Sequence, residues 1–300
     1  HANGFDAVIA HRFKPISMMM WLSLVFRTTV FVGVEHGIGD YDRIFRRLEA
    51  AVLISRRWKL VGVSRAVTAY LHNRVFAFNA RNTVTINNAI DIDRAKSIML
   101  SAEEAKAALG IPEGRLVVGC IGRLVPVKGH ATLIAAFSRI VGDYPDALVA
   151  IIGEGRSRPE LEELVSKHCL QDRVILLGAR DDALKYVKAF DIFAMPSFSE
   201  GLPLALLEAL AGARPVIGSD IDSLRPILED SGGLQFKVGD PVDLAETLSE
   251  MIRKSFAQRE TMGAAGYEYL CRMHGIDEFR SNYRNLILTM IQTSGKNKND

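Results

Sequence analysis

The sequence predicts an α/β fold of parallel sheets arranged in two domains, and three observations predict it. From residue 116 onward, short unbroken apolar runs alternate with helical stretches. Strands covered on both faces by helices read in this way, as continuous rather than alternating apolar runs. Loops bearing glycine then punctuate the strand ends, at Gly122-Arg123, Gly153-Glu154-Gly155, Gly178-Ala179-Arg180 and Ser197 to Gly201. In doubly wound sheets ligands bind beyond the carboxyl ends of the strands, so four loops converge on one edge. Finally, the first hundred residues hold a shorter series of the same βα kind.

In chain order, the first series places strands at 7–10, 29–34, 60–63 and 84–86. The apolar run 16–26 is interrupted by two serines and is too short to span a bilayer, so it reads as an amphipathic or core helix. Helices are expected at 41–51 and 64–71, the second capped by Ser64. The stretch 95–108 is charged and polar, and Ser101-Ala-Glu-Glu suits a capping box leading out of a linker. In the second series, strand 116–121 and helix 130–140 are followed by strand 147–152 and helix 160–168. Strand 174–177, helix 182–189 and strand 192–195 come next, then a helix around Glu208, strand 215–217 and a helix at 225–229. Helices at 244–252, 258–272 and 277–291 extend past the sheet, and 296–300 reads as a frayed tail.

Composition bounds the chemistry. Three hundred residues suit one large or two ordinary domains, with the apolar and charged content of a globular protein. Cys120, Cys169 and Cys271 show neither metal-ligand spacing nor a paired framework and read as small hydrophobes in a reducing compartment. No signal peptide is visible. Residues 1–99 carry 14 Lys and Arg against 7 Asp and Glu, a net +7, whereas the rest carries 23 against 28, a net −5. Such a split suggests that the first half meets an anionic partner, an acidic lipid surface or a phosphorylated glycan. Nucleic acid is disfavoured because no row of aromatics interleaves the basic residues.

The segment from Phe198 to Ala211 is the most informative. From Leu202 to Ala211 every residue is apolar except Glu208. A helix apolar all round is buried, and a lone carboxylate on it is costly without a hydrogen-bond partner. No cation stands three or four residues away, so that partner comes from elsewhere in the fold or from a ligand. Gly201 admits close backbone approach, Pro203 suits a first helical position, and the free N–H groups around Leu202 and Leu204 fit a phosphate. Glu200 adds a second carboxylate for hydroxyls. An anion cradle beside two hydroxyl-gripping carboxylates matches a nucleotide sugar.

Other loops carry matching chemistry. In Gly122-Arg123-Leu124-Val125-Pro126-Val127-Lys128-Gly129 an Arg that forks phosphate oxygens and a Lys point charge suit a departing diphosphate without a metal. Gly153 and Gly155 open a helix as a dinucleotide fingerprint would, but Arg158 stands where the third glycine belongs, which weakens a nicotinamide reading. Arg180 follows the next strand and is a candidate to face a base. His36 ends a strand within Val34-Glu35-His36-Gly37, and His11, Arg12 and Lys14 form a basic cluster able to touch an acceptor. Asp91-Ile92-Asp93 has the spacing of a metal-holding carboxylate pair, but it precedes a linker rather than sitting among the donor loops, so no metal and no cofactor are expected.

The stretch from Glu200 to Glu208 closely resembles the Glu-x7-Glu motif of retaining glycosyltransferase family 4, whose members have the GT-B fold of two Rossmann-like domains facing a central cleft. The resemblance implies that Glu200 contacts the donor sugar and Glu208 the ribose. The Gly122 to Gly129 loop resembles the family's Gly-Arg-Leu-x-x-x-Lys-Gly motif, which assigns the donor diphosphate to Arg123 and Lys128. Gly153 and Gly155 match a Gly-x-Gly near the base and phosphates, and His36 matches a His facing the donor sugar. Asn88-Ala89-Ile90-Asp91 resembles a linker signature, with Ala89 in place of Gly.

The resemblance covers nearly the whole chain. It implies an acceptor-side domain over 1–95, a donor-binding domain over 96–276 and a helix over 277–292 that crosses back. The family's first strand and glycine-rich loop have no counterpart before Phe5, so the N-terminal domain reads as incomplete. The expected activity is transfer of a sugar, with retention, from a UDP- or GDP-sugar to a hydroxyl of a growing cell-surface glycan such as lipopolysaccharide or capsule. The acceptor would be a glycan or lipid-linked glycan, and the location cytoplasmic, peripheral on the inner face of the membrane. Two alternatives stay open: a truncated, non-catalytic nucleotide-sugar-binding module, and a GT-B nucleotide-sugar epimerase or hydrolase.

Overall fold

The structure is a computed structural model describing residues 4–26 and 28–296. The chain forms two compact units. One is built from the residues up to Ala89, the insert Glu200–Leu202 and the chain from Ile276 onward; the other from Ile90–Ser199 and Pro203–Gly275.

The first unit holds a parallel sheet of β1 (Ala7–His11), β2 (Val30–Glu35), β3 (Trp58–Gly62) and β4 (Thr83–Thr85), in that order. Helices α1 (Phe13–Leu22), α2 (Ile44–Leu53) and α3 (Arg65–Arg74) connect the strands. All six residues of β2 are buried, as a central parallel strand requires. Trp58 stacks on Phe31 at 5.0 Å, with Ile16, Met20 and Leu60 also inaccessible. The helix read into residues 16–26 is α1, with Ile16 and Met20 turned inward. Ser64 caps α3 as expected, its Oγ accepting from the Val67 N–H.

In the second unit, α4 (Ile92–Ile98) and α5 (Ala102–Ala108) precede the sheet, and Ser101 with Glu104 closes the expected capping box. The strands are β5 (Leu116–Ile121), β6 (Ala147–Ile152), β7 (Val174–Gly178), β8 (Ile192–Met195), β9 (Val216–Ser219) and β10 (Leu234–Phe236). Between them lie α6 (His130–Ile140), α7 (Arg158–Lys167), α8 (Leu204–Ala211) and α9 (Arg225–Ser231), and α10 (Pro241–Arg253) and α11 (Phe256–Met273) follow. The order is β10-β9-β8-β5-β6-β7, all parallel. The chain winds outward from β5 to β7, returns to β8 beside β5, and winds the other way. The crevice between the ends of β5 and β8 is therefore the topological switch point, where doubly wound sheets bind ligands. The chain ends in α12 (Ile276–Lys296), which packs against β2 of the first unit.

Several sequence expectations shift. The boundary placed near residue 95 falls inside α4, because the Ile90 N–H already bonds the His274 carbonyl and Ile90 pairs with Gly275. The segment expected as a helix at 182–189 is a 3-10 helix, Ala183–Ala189. The helix expected at 41–51 starts at Ile44. Pro203 is the N-cap of α8 rather than its first helical residue, with extended backbone at φ −73. Strand β10 was not anticipated, and α12 runs past 292 to Lys296. The tail beyond Lys296 lies outside the described residues.

Candidate functional site

In the second unit the switch-point loops are locked to one another. After β5 the chain passes Gly122 and Arg123, makes a 3-10 turn over Pro126–Lys128, and enters α6 through Gly129 in the left-handed region at φ 68. A Cβ on Gly129 would lie 1.9 Å from the Pro196 carbonyl oxygen, so only glycine lets this loop close on the exit of β8. The Phe198 N–H bonds the Val127 carbonyl at 2.8 Å. On the other side, the Leu124 N–H bonds the Glu154 carbonyl, and the Ser157 N–H bonds the Leu124 carbonyl, each at 2.9 Å. Gly153 and Gly155 sit against the carbonyls of Gly122 and Leu124 so closely that a side chain at either would collide.

These contacts sort the predicted residues. Arg123 and Arg180 are exposed and make no ion pair among the described residues. Lys128 is half-buried in the Gly122 to Gly129 loop. Arg158, in place of a third fingerprint glycine, braces its own helix: it pairs with Glu154 at 2.6 Å and Glu162 at 2.8 Å and donates to the Leu176 carbonyl. Asp91 caps α4 by accepting from the Arg94 N–H at 3.0 Å, and Asp93 lies in the first turn of that helix.

Glu208 projects from α8, half-buried, with no hydrogen bond to its carboxylate among the described residues. Burial raises its pKa above the ordinary value, Asp182 raises it further, and Arg94 opposes both. Arg94 is itself held by Asp182, at 2.8 Å. The cation missing from the helix itself is thus supplied by α4, though it spends its hydrogen bond on Asp182 rather than on Glu208. The helix is not apolar-buried all round, since Leu204 is 54% exposed.

In the first unit Glu200–Leu202 lies across three strand exits. The Ser64 hydroxyl donates to the Gly201 carbonyl at 2.9 Å, and Asn88 Nδ2 donates to the Leu202 carbonyl at 2.8 Å. A Cβ on Gly201 would stand 2.1 Å from the His36 carbonyl oxygen. Gly201 therefore serves a backbone-to-backbone contact, which by itself requires glycine there. His36 follows β2, and its Nε2 lies 3.0 Å from Nδ1 of His11, the last residue of β1. One nitrogen must donate and the other accept, so at most one ring of the pair is a cation. Burial lowers the His36 pKa, and the neighbouring His11 and Arg12 lower it further. Of the acceptor candidates, His11 is joined to His36, Arg12 is exposed at φ 67 and ψ 159, a region normally left to glycine, and Lys14 is exposed in the first turn of α1.

Two titratable residues at these edges were missed by sequence reasoning. His130, the first residue of α6, is 2% exposed, neither ring nitrogen has a hydrogen-bond partner among the described residues, and burial followed by Lys128 pushes its pKa down to about 4. Glu35, the last residue of β2, is fully buried. Its carboxylate oxygens and the buried Tyr41 hydroxyl all lack a partner in hydrogen-bond geometry. Burial, then Asp40, raises the Glu35 pKa from 4.5 to about 8, against smaller opposing effects of Tyr41 and Arg46. A charged residue followed by His36 at a strand end was the available signal for Glu35, and a histidine after Gly129 the signal for His130.

Residues 101–269 match the family described as glycosyl transferases group 1. The chain belongs to the group 1 glycosyltransferases. It is 29% identical over 273 residues to the 2-deoxystreptamine N-acetyl-D-glucosaminyltransferase of Streptomyces fradiae, covering 85% of this chain and 62% of that one. It is 28% identical over 183 residues to the lipopolysaccharide core biosynthesis glycosyltransferase LpsE of Rhizobium meliloti (strain 1021), covering 61% and 52%. The chain spans about half the length of the curated relatives it matches. Among solved structures, Anabaena Alr3699/HepE in complex with UDP superposes with a TM-score of 0.83 at 20% identity, over 95% of this chain and 79% of that one. The two parallel-sheet units are thus those of the GT-B glycosyltransferase fold. Among the described residues, no helix of this group 1 glycosyltransferase is long and apolar enough to cross a membrane, and no three His, Cys, Asp or Glu gather as a metal cluster would.

Proposed function

We propose that this group 1 glycosyltransferase moves a sugar, with retention of configuration, from a UDP- or GDP-sugar to a hydroxyl of a growing cell-surface glycan. The observation that carries the reading is Glu208: a half-buried carboxylate with no hydrogen-bond partner among the described residues, on the helix that follows the β8 loop at the switch point. Such a group gains most from a ligand that brings hydroxyls, and a ribose does so. Arg123 and Lys128, in the loop after β5, supply positive charge for a leaving diphosphate without a metal. Arg180, after β7, faces the base. Glu200 and His36 orient the donor sugar. No enzymatic nucleophile is assigned; the leaving phosphate itself takes the proton of the incoming hydroxyl on the same face. The relative named for lipopolysaccharide core biosynthesis supports a glycan acceptor, and HepE in complex with UDP supports a nucleotide donor.

The test is a thermal-shift screen of UDP, GDP and their sugars, followed by turnover with the donor that stabilises. A ligand at about 100 times its dissociation constant adds about 2.7 kcal/mol to stability. Stabilisation by none of these nucleotides up to millimolar concentration would sink the donor assignment. Stabilisation with release of free sugar but no transfer would leave a hydrolase.

A further inference from the structure

His11 and His36 meet at a place that the fold fixes. His11 is the last residue of β1, and His36 follows the last residue of β2. The strands are parallel, and His11 pairs in register with Val34, two residues before His36. Alternation along a strand therefore brings both side chains to the same face at the same end of the sheet. The Arg12 N–H bonds the Val34 carbonyl at 2.8 Å and carries the ladder one step past His11. Arg12 then turns the chain at φ 67, a costly conformation for a residue other than glycine, which persists where the surroundings overdetermine it. The His36 carbonyl lies against Gly201, where a Cβ would collide with it. Between these backbones His11 Nδ1 stands 3.0 Å from His36 Nε2, with the ring centroids 5.3 Å apart.

The contact couples the protons of the two rings. A neutral imidazole carries its proton on one nitrogen, and the other nitrogen accepts. Across the contact one nitrogen donates and its partner accepts. With both rings neutral, either both carry the proton on Nε2 or both carry it on Nδ1. Histidine in water favours the Nε2 proton, so the first arrangement gives each ring its preferred form and makes His36 the donor to His11. Burial, then His11 and Arg12, lowers the His36 pKa and keeps this ring neutral at physiological pH. In the first arrangement His36 Nδ1 is bare, so it accepts hydrogen bonds and cannot donate them. Without a partner the His36 ring would exchange between both forms and present a donor part of the time.

We propose that His11 is a positioning residue that acts through His36: it accepts from the His36 Nε2–H and thereby holds Nδ1 bare, ready to accept from a hydroxyl of the donor sugar. This role rests on the transferase reading, in which His36 orients that sugar. It adds a requirement on the substrate. The sugar must present a free hydroxyl to His36, since a ring oxygen, an ether or a ketone in that place has no hydrogen to give. The strained backbone directly after His11 fits the role, because strain is kept where a site needs a side chain held in place.

The first arm of the test needs no donor. The ring nitrogens of isotopically labelled protein are read by long-range proton–nitrogen correlation at about pH 8, where bare and protonated nitrogens differ widely in chemical shift. His36 is expected to show a protonated Nε2 and a bare Nδ1. His11→Ala should move both nitrogens toward the averaged shifts of a free ring. His11→Asn should restore the wild-type pattern, since Asn Oδ1 stands on the same carbon as Nδ1 and accepts alike. His11 is exposed, so both variants should keep their melting temperature. A proton on His36 Nδ1, or shifts unmoved by His11→Ala, would overturn the proposal. The second arm measures initial rates with the UDP- or GDP-sugar that the thermal-shift screen selects. His11→Ala should lower kcat about tenfold, the worth of one well-placed hydrogen bond, with the donor KM little changed, and His11→Asn should recover most of the loss. An unchanged kcat in His11→Ala would likewise overturn it. The locked tautomer in a protein that turns over no donor would sink the transferase reading while bearing out the coupling of the two rings.

Discussion

Glu35 gives the sharpest prediction, because a fully buried carboxyl ties stability to pH with a fixed sign. In the fold it binds its proton with a pKa of about 8, against 4.5 when the chain is open. Between these values the folded state holds one proton that the unfolded state has released. Glu35 therefore lends its full support below pH 4.5 and loses it as the pH rises through about 8. Within that window the loss is about 1.4 kcal/mol per pH unit, and from pH 6 to 8 it reaches roughly 2–3 kcal/mol. That is a large share of the ~5–15 kcal/mol that holds a typical domain. The perturbation is Glu35→Gln, which keeps the shape of the protonated acid and cannot ionise. Urea denaturation at half-unit steps from pH 5.5 to 9 should show wild type falling relative to the variant up to about pH 8 and running parallel above it. Groups remote from the carboxyl titrate alike in both proteins and cancel in the difference. Parallel profiles across the whole range would refute the reasoning: the carboxyl would then be ionised and solvated at pH 6, and the burial assigned to it wrong.

Four further outcomes are expected. Glu208→Ala should weaken nucleotide binding by about 1.5–3 kcal/mol, roughly ten- to a hundredfold, with Glu208→Gln losing less; calorimetric titration giving unchanged affinity would remove the ribose role. Transfer activity should survive EDTA, whereas activity lost to chelator and restored by manganese would return the metal reading of Asp91 and Asp93; Lys128→Ala should lower turnover more than nucleoside binding. Gly129→Ala should cost about 1–3 kcal/mol in urea denaturation, since it combines a left-handed φ with collision against Pro196; no loss would mean that the loop repacks freely. By NMR the His36 ring should titrate below 6.5, so its contribution to stability is present above 6.5 and lost as pH falls through its folded value; His11→Ala should move the midpoint up, and an unmoved midpoint would deny the coupling.

The second sheet was nearly fully legible because its physics is local. Strands such as Leu116–Ile121 and Ala147–Ile152 are buried on both faces, so they are written as unbroken apolar runs, and glycines mark their ends. The first sheet was read with strand ends off by a residue or two, since its strands are short and β4 is only three residues long. What stayed hidden depends on contacts far apart in the chain. That Arg94 reaches Asp182, that Asn88 and Ser64 hold the backbone at Gly201 and Leu202, and that His11 meets His36 are facts of topology. Glu35 left only a faint signal, its place before His36, because a carboxylate at a strand end is ordinarily solvated and only the packing of the fold around it takes the water away.

The glycines of the candidate site deserve a different weight from the one their motifs suggest. Read from sequence, Gly153, Gly155 and Gly201 are places where backbone comes close to phosphate. In the fold their missing side chains make room for other backbone: the Gly122, Leu124 and His36 carbonyls occupy the space that a Cβ would need. Substituting them would therefore disrupt the packing of loops on one another before it touched a ligand. A loss of binding in such variants says little about contact. The groups left to meet a ligand directly are those the fold does not consume. At the edge of the second sheet these include Arg123 and Arg180, exposed and without an ion pair among the described residues, and Glu208, half-buried and without a hydrogen bond among them. Chemistry at that edge is best probed through these side chains and Lys128, with the glycine loops treated as the scaffold that fixes their positions.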